Sequence, residues 1–410
     1  MELSSCGVRR RAVALAVLMI GACTVLGVLA PAGVAAGSRA APNLETGSAY
    51  LVAPANLLAG HYYESFPGAA DFGLTIDGAL ALAATRDEDP ALRKIVAFID
   101  GDGKDPSGKT INDWTGIGTR YVSGGAIGKE ALLAEVVGDN PGSFGGHDLI
   151  AALNASVCRR ASGGATPACP AAGSYRNAAS VFDQALGIIA QLRAGQDSEA
   201  VAPIAYLESL QAANGSFPSL IPAGGGPDVD STAMAVMALA LVRGRRAARD
   251  VASGVAWIVS QQERNGGFPS AGAESVNSTG LAIQAMALRT PAYRAHIGAA
   301  RAFLASEQNV NGGFAADATG PRGSNVRATT QAVGGAVGRP FGTLSRDLGS
   351  AATKSPHRSN LAGHVWLALG AVLVAIVAVI LGSLRFRRRR RPPQPPAEPA
   401  RPETQQRVSP

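Results

Sequence analysis

Residues 230–239 read Asp-Ser-Thr-Ala-Met-Ala-Val-Met-Ala-Leu, an apolar stretch that opens with three polar residues. Similar openings recur along the chain at steps of roughly 50 residues, a period typical of repeat architectures. The six recurring tetrapeptides are Asp77-Gly-Ala-Leu, Lys129-Glu-Ala-Leu, Asp183-Gln-Ala-Leu, Thr232-Ala-Met-Ala, Thr279-Gly-Leu-Ala and Thr329-Thr-Gln-Ala. A unit of this length fits two short helices and two connections, and such units bury their apolar faces only against neighbours. We therefore expect an all-α chain with six helix pairs in a closed ring.

The hydrophobic pattern assigns one inner and one outer helix to each unit. Inner helices are apolar nearly all round, which indicates burial on most sides. Outer helices are amphipathic, as Ile204, Leu207 and Leu210 show by sharing one helical face. The expected inner helices are 72–85, 124–138, 181–194, 230–243, 277–289 and 327–338, and the expected outer ones are 50–60, 90–102, 147–156, 199–212, 246–263 and 295–308.

The two ends of the chain carry targeting signals. Arg9-Arg10-Arg11, an apolar run and Val34-Ala35-Ala36 form the pattern of a signal peptide. An uncharged stretch at 365–384 is long enough to span a bilayer, and the arginines that follow it favour a cytoplasmic tail. The expected organisation is a signal peptide at 1–36, a polar lead-in at 37–49, the helical ring at 50–340, a linker at 341–364, a transmembrane helix at 365–384 and a basic, Pro-rich cytoplasmic tail at 385–410. We predict a single-pass membrane protein whose ring lies outside the cytoplasm.

The net charge of +7 is concentrated at these two ends. The leader carries +2 and the segment after Leu384 carries +6, so the ring and its flanks are close to −1. A nucleic-acid-binding domain would show a basic patch on its folded part, and none is expected here. The arginine cluster instead indicates membrane topology and contact with anionic lipid.

The four cysteines fall into two pairs. Cys158 and Cys169 flank a short Gly- and Ala-rich segment in a compartment expected to be oxidising, and we predict a disulfide between them. Cys6 and Cys23 lie in the leader. The sequence before Cys23 also fits a lipidation site, which remains open as an alternative to cleavage near residue 36.

A second repeated pattern joins the helices. Gln211, Gln262 and Gln308 are each followed by Asn-Gly-x-Phe, with Phe217, Phe268 and Phe314 at the end. A weaker copy ends at Phe144. The glycines suit the left-handed turn that ends a helix, and the Phe can fold back between neighbouring helices.

These elements resemble the α/α-toroid superfamily of squalene and terpene cyclases, prenyltransferase β subunits and vitamin B12 carriers of the transcobalamin and intrinsic factor type. The Gln-Asn-Gly-Gly-Phe pattern is similar to the QW motif of the cyclases, with Phe in place of Trp. The stretches from Asp230 and Asn277 resemble inner helices of the B12 carriers. The resemblance covers about 50–340 and implies a single α6/α6 toroid.

The segment Asp228-Val-Asp230-Ser231 resembles the Asp-x-Asp-Asp proton-donor motif of class II cyclases, and on that match Asp230 takes the place of the protonating acid. The alternative interpretation is that Asp230 or Ser231 caps an inner helix, since both residue types are preferred there. An aromatic content of 5% argues against a cyclase, because carbocations are stabilised by many aromatic rings.

Polar residues near the starts of the inner helices are expected to gather at one end of the ring, either as caps and salt bridges or as a ligand-binding mouth above an apolar funnel. The candidate ligand-binding residues are Asp71, Asp77, Lys129, Asp183, Asp228, Asp230, Asn277, Thr279, Gln284 and Gln331. Asp77 and Asp183 could also form an acid–base pair for carbohydrate chemistry. No metal site is expected, because the cysteines flank one loop and the histidines are scattered.

The sequence therefore favours an exported, membrane-anchored toroid that binds or scaffolds. The candidate ligand is an apolar or amphiphilic molecule, isoprenoid-like or corrinoid-like. The alternative is an extracytoplasmic enzyme, either a degenerate cyclase that uses Asp230 as the acid or a carbohydrate-active α/α barrel.

Overall fold

The computed structural model describes residues 40–162, 169–270 and 272–349. Helices alternate between the inside and the outside of a ring, and short β-hairpins precede three of the inner helices. In chain order the elements are α1 (Leu44–Val52), β1 (Glu64–Phe66), β2 (Ala69–Ala70), α2 (Phe72–Thr85), α3 (Asp89–Asp100), α4 (Ile111–Thr115), α5 (Gly124–Val137), α6 (Leu149–Ala155), α7 (Val181–Arg193), α8 (Val201–Ser209), β3 (Pro218–Leu220), β4 (Gly224–Pro227), α9 (Val229–Leu239), α10 (Arg245–Ser260), β5 (Phe268–Ser270), β6 (Ala273–Ser275), α11 (Val276–Ala287), α12 (Thr290–Glu307) and α13 (Val326–Val337).

Six inner helices form a closed barrel. Each of α2, α5, α7, α9, α11 and α13 packs against the next, and α13 returns to pack against α2. The outer helices α1, α3, α6, α8, α10 and α12 surround this barrel, and the short α4 precedes α5. The predicted single α6/α6 arrangement is therefore the observed fold.

Polar caps fix where every inner helix begins. The side chain immediately before each helix accepts a hydrogen bond from a backbone amide of the first turn, which satisfies a group that the helix itself leaves free. The six capping residues are Asp71, Ser123, Ser180, Asp228, Ser275 and Asn325. These caps gather at one end of the barrel, because inner and outer helices alternate in direction.

The first outer helix differs from its prediction. It spans Leu44–Val52 rather than 50–60, and so it begins inside the expected lead-in. Asn43 caps it by accepting a hydrogen bond from the amide of Thr46, and Pro54 follows its end. Helix α9 also ends earlier than expected, at Leu239 rather than 243.

The phenylalanines of the repeated pattern are buried between helices, as predicted. Phe217, Phe268 and Phe314 are fully buried. Their backbone amides donate to the hydroxyls of Thr232, Thr279 and Thr329, each 3.0 Å away. Tyr63 and Tyr175 make the same backbone contact with Thr75 and Gln184, so tyrosine takes this place in two further units.

The glutamines of the pattern tie neighbouring outer helices together. The side-chain amides of Gln211 and Gln262 donate to backbone carbonyls of the next outer helix, at Asp250 and His296. Gln308 does the same at the carbonyl of Asn43, and its oxygen accepts from the amide of Asn43. This last contact joins the final unit to the first and closes the outer layer.

Residues 339–349, here called the strap, lie across the C-terminal ends of the inner helices. The amides of Arg346 and Leu348 donate to carbonyls at the end of α5. The guanidinium of Arg193 on α7 donates to the carbonyl of Phe341. The expected linker at 341–364 thus begins with nine residues that pack on the barrel, and the folded unit extends past residue 340.

Several sequence-based expectations lie outside the described residues. These are the signal peptide, the first residues of the lead-in, the rest of the linker, the transmembrane helix at 365–384 and the cytoplasmic tail. Within 40–162, 169–270 and 272–349, no helix is both long and apolar enough to cross a bilayer. The predicted disulfide between Cys158 and Cys169 is present.

Candidate ligand-binding site at the mouth of the inner barrel

Register along the inner helices shows which side chains face the barrel axis. A small axial void is lined by Asp77, Leu80, Gln284 and Gln331, which are sixth or ninth residues of their helices. The second residue of a helix lies one turn before the sixth on the same face. We call the second-residue ring the mouth, and it consists of Gly73, Gly125, Phe182, Asp230, Asn277 and Arg327.

Below the mouth the barrel is narrow and filled. The sixth residues include one ion pair, in which the Lys129 ammonium lies 2.7 Å from the Asp77 carboxylate. Most ninth residues are apolar, and the void beside them has room for roughly one water molecule. Phe341 and Leu344 of the strap border this void from the other end of the barrel. Among the described residues, the middle of the barrel therefore leaves no room for a ligand larger than a water molecule.

One side of the mouth is neutralised by a second ion pair. The guanidinium of Arg327 lies 2.7 Å from the carboxylate of Asp71, which also caps α2. Burial raises the pKa of Asp71, but hydrogen bonds from Ser65 and the Leu74 amide, together with the charge of Arg327, hold it below its usual value. Asp71 is therefore charged and already paired.

Asp230, on the other side of the mouth, is a carboxyl group with spare bonding capacity. Its Oδ1 is an open oxygen, by which we mean a buried side-chain oxygen that receives no hydrogen bond from any described residue. The pKa of Asp230 is raised to about 6, mainly by burial; the Ser278 hydroxyl opposes this shift and the negative charge of Asp228 adds to it. Asp228, not Asp230, caps α9 by accepting from the Ser231 amide. The prediction that Asp230 or Ser231 caps this helix is therefore wrong.

The neighbouring helix α11 adds two more polar groups beside Asp230. The side-chain carbonyl of Asn277 is an open oxygen, and so is the hydroxyl of Ser278, which is fully buried. Buried polar groups are normally hydrogen-bonded, and those that are not often mark the place of a ligand or a water. Asp230, Asn277 and Ser278 together form what we call the open acceptor group.

The remaining candidates divide into axial and local residues. Gln331 and Gln284 face the axial void, and the Gln284 amide donates to the carbonyl of Arg339 in the strap. Thr279 is fully buried, and it donates to the Ser275 carbonyl while it accepts from Phe268, so it supports the fold.

Asp183 also has a local structural role, at the start of helix α7. It accepts from the amide of Ala179 and packs against Gly125 of α5. Asp77 is occupied by Lys129. These contacts give no support to Asp77 and Asp183 as an acid–base pair.

Sequence reasoning missed Arg327, Phe182 and Ser278. The feature that could have identified them is their position in the helix, because each is the second or third residue of an inner helix. It also missed the exposed apolar residues on the segments that lead into the mouth, namely Phe66, Tyr121 and Leu220. Among the described residues, no three His, Cys, Asp or Glu side chains form a group that could hold a metal ion.

Comparison with known proteins supports the toroid fold. Residues 142–332 match the family model of the prenyltransferase alpha-alpha toroid domain. The predicted resemblance to the α/α-toroid superfamily is thereby confirmed. No curated protein matches the chain in sequence.

Two solved structures illustrate the likeness. A variant of the type II terpene cyclase MstE from Scytonema, in complex with geranylgeranyl dihydroxybenzoate, is 18% identical over 72% of this chain and 95% of that chain, with a TM-score of 0.53. A protein from Actinoplanes is 17% identical over 72% of this chain and 97% of that chain, with a TM-score of 0.52. At such identities the likeness extends to the fold alone.

Proposed function

We propose that this α/α toroid is a binding protein that holds the polar head of an amphiphilic small molecule at its mouth. The observation that carries the proposal is the open acceptor group, in which oxygens of Asp230, Asn277 and Ser278 are buried without a hydrogen-bond partner at the starts of the packed helices α9 and α11. Ligand sites combine a few convergent polar groups with an apolar surround. A head group with hydroxyl or amide donors would satisfy these oxygens.

The rim of the mouth supports an apolar chain on the same ligand. Phe66 and Leu220 are exposed on hairpins that lead into α2 and α9, and Tyr121 is exposed just before α5. Phe182 adds an aromatic ring within the mouth itself. Because the barrel middle is filled, we place the chain along this rim rather than along the axis.

An isoprenoid-like amphiphile is the ligand class that we favour. The cyclase MstE has the same fold and was solved with a geranylgeranyl chain attached to a polar aromatic head. A corrinoid, whose amide side chains are also donors, is the second ligand class and is tested alongside.

We also propose that the protein is exported and anchored in a membrane by its C-terminal segment. The leader pattern, the uncharged stretch at 365–384 and the arginines that follow support this topology. The disulfide between Cys158 and Cys169 supports an oxidising compartment. An amphiphile carried in a membrane would then reach the mouth without crossing the cytoplasm.

A second candidate function is proton transfer by Asp230. Its burial, its open oxygen and its pKa of about 6 suit a general acid better than an ordinary aspartate does. On this alternative the protein would be a cyclase-like enzyme acting on a polyene outside the cytoplasm.

The test measures equilibrium binding of radiolabelled geranylgeraniol, and separately of cyanocobalamin, to the full-length chain in lipid nanodiscs. Empty nanodiscs correct for partition into lipid. We expect saturable binding of geranylgeraniol that Asp230→Ala weakens by about 10-fold or more, since a hydrogen bond to a charged group contributes about 1.5–3 kcal/mol. Asp230→Asn keeps an oxygen acceptor and should bind far better than the Ala variant.

The control variant is Glu263→Gln, which removes a carboxylate from an exposed loop outside the mouth. It should bind like the wild type. Absence of saturable binding of both probes would overturn the binding proposal. Cyclised product formed by the wild type and reduced about 100-fold or more in Asp230→Asn would instead establish the enzyme alternative.

A further inference from the structure

Exposed arginines gather on one side of the end of the ring that the strap covers. Arg243 and Arg245 follow inner helix α9, and Arg289 follows inner helix α11. Arg339, the first residue of the strap, is exposed as well. We call these four arginines the basic rim. The chain has no Asp or Glu from residue 240 to 249 or from 288 to 306, so the rim is not interrupted by acids of its own segments.

Contacts with the strap place the rim on one continuous surface. A Cβ built at Gly338, just before the strap, would lie 3.8 Å from the Cβ of Ala287 at the end of α11. A Cβ built at Gly342 of the strap would lie 2.8 Å from Cδ2 of Leu241, which follows α9. The rim arginines lie one to four residues along the chain from these contacts. They therefore flank the first residues of the strap.

The basic rim has no acidic partner. None of its guanidinium groups forms an ion pair with residues 40–162, 169–270 or 272–349. Their neighbour Arg246, by contrast, lies 3.1 Å from the carboxylate of Glu208. Outside the described residues the sequence has only three acids, which lie in the predicted leader and cytoplasmic tail, namely Glu2, Glu398 and Glu403. The rim is thus a surface of uncompensated positive charge.

The opposite side of the same end is acidic. The turns that follow inner helices α5 and α7 carry Asp139, Asp148, Asp197 and Glu199, and the last three of these are exposed. The nearly neutral total charge of the ring therefore hides a basic and an acidic sector. An anionic surface attracts the basic sector and repels the acidic one, so it would orient the ring.

The chain continues from this same end toward the predicted membrane segment. The Leu348 amide donates to the Val137 carbonyl at the end of α5, so the last residues of the strap lie where the inner helices end. Residues 350–364 separate the strap from 365–384, and they contain Lys354 and Arg358 but no acid. A segment of about 15 residues spans at most roughly 50 Å. A tether this short keeps the effective concentration of the rim at the bilayer high.

We propose that the basic rim docks the ring onto anionic phospholipid headgroups of the membrane in which the chain is anchored. Arginine suits phosphate, because its planar guanidinium can donate two parallel hydrogen bonds to it. The position of the tether and the sign of the charge both select the bilayer surface as the occupant. The inference rests on the proposed C-terminal anchor and not on what the mouth binds.

Docking through the rim keeps the mouth clear of the headgroups. The mouth lies at the other end of the inner helices, which have 11 residues in α9 and 14 in α2. Helices of this length are roughly 16–21 Å long. An amphiphile would then reach the mouth after it leaves the bilayer.

The experiment measures how fast p-hydroxyphenylglyoxal modifies each arginine of the full-length chain in nanodiscs, by peptide mass spectrometry. The nanodiscs contain phosphatidylcholine alone or phosphatidylcholine mixed with phosphatidylglycerol. We expect the rim arginines to react about 5-fold or more slowly in the anionic nanodiscs, because headgroups cover them. High salt should remove this protection, since it screens exposed charges. Arg264, exposed between α10 and β5 at the other end of the ring, should react equally fast in both.

Two triple variants test whether the position of the arginines matters or only their number. Each variant replaces three exposed arginines that have no ion pair with a described residue, so each lowers the net charge by three. The rim variant carries Arg243→Gln, Arg289→Gln and Arg339→Gln, and the control variant carries Arg159→Gln, Arg160→Gln and Arg264→Gln. Arg245 should lose its protection in the rim variant and keep it in the control variant.

The outcomes separate docking from the other proposals. A chain that does not co-migrate with nanodiscs would lack the anchor, and this would overturn the anchor and the docking together. A chain that co-migrates, but whose rim arginines react equally fast in neutral and anionic nanodiscs, would overturn docking alone. Equal loss of Arg245 protection in both triple variants would also overturn it, because net charge and not the rim would then set the protection.

Discussion

Asp228 and Asp230 are two residues apart and have different roles in the structure. Asp228 faces back to the helix start and satisfies a backbone amide, while Asp230 faces the mouth with an open oxygen. The sequence pattern predicts that Asp230 or Ser231 caps this inner helix, because Asp and Ser are preferred there. The structure places the cap at Asp228 instead, since the helix begins at Val229.

The raised pKa of Asp230 predicts how stability changes with pH. Its pKa of about 6 in the folded chain exceeds the ordinary value of 3.8. The folded state therefore binds the proton more strongly, and the free energy of unfolding falls as pH rises from about 4 to about 6 and is then flat. Asp230→Asn has no such loss, so it should be more stable than the wild type at pH 7.5 by on the order of 1–3 kcal/mol and nearly equal to it at pH 4.

Urea unfolding at pH 4, 5.5 and 7.5 measures this difference. Asp228→Asn is the control, because Asn caps a helix about as well as Asp and should change stability by less than about 1 kcal/mol. If Asp230→Asn were the less stable protein at pH 7.5, the carboxylate would have a favourable partner that this account does not include.

At the scale of elements, the inner helices approach one another through glycines. A Cβ at Gly128 of α5 would lie 2.7 Å from the Cα of Gly187 on α7, and one at Gly280 of α11 would lie 2.4 Å from a carbonyl of α13. The all-round apolar pattern predicted the inner helices to within a few residues. It could not predict which glycines touch, because that depends on the rotation of each helix.

Gly128→Ala tests this contact. The atoms that the new methyl group meets are backbone atoms of α7, so the two helices must move apart. Overpacking of this kind costs about 1–3 kcal/mol in the free energy of unfolding. The measurement is chemical denaturation of the full-length variant.

Gly298→Ala is the matched control in an outer helix. A Cβ there meets no described atom within 4 Å, and alanine favours a helix over glycine by about 0.8–1 kcal/mol. This variant should be as stable as the wild type or more so. Equal stability of both Ala variants would mean that α5 and α7 do not meet as closely as the structure has them.

Two elements, helix α1 and the strap, could not be predicted correctly from the sequence, and the reason is physical. Helix α1 is only nine residues long, and its start depends on the Asn43 cap rather than on a long apolar pattern. The strap has no helical or strand periodicity, and it is held by contacts such as that between Arg193 and the carbonyl of Phe341, which are 148 residues apart. Local patterns do not encode such distant contacts.

At the scale of the whole molecule, the repeat predicted a closed ring and the structure closes it between Gln308 and Asn43. The polar site was harder to predict, because the six repeated tetrapeptides do not share one register. Asp77 and Lys129 are sixth residues of their helices, Asp183 is a third, and Thr232 and Thr279 are fourth residues that contact buried phenylalanines. Of these positions only the sixth faces the axis, as the second and ninth positions of the inner helices also do.

Photolabelling with a diazirine analogue of geranylgeraniol, followed by peptide mass spectrometry of the full-length chain in nanodiscs, tests the binding of an amphiphile at the mouth most directly. We expect labels on peptides that contain Phe182, Asp230 or Asn277. Excess geranylgeraniol should suppress these labels, and Asp230→Ala should weaken them. Labels confined to the outer helices or to 365–384, or labels that excess geranylgeraniol does not reduce, would contradict the account.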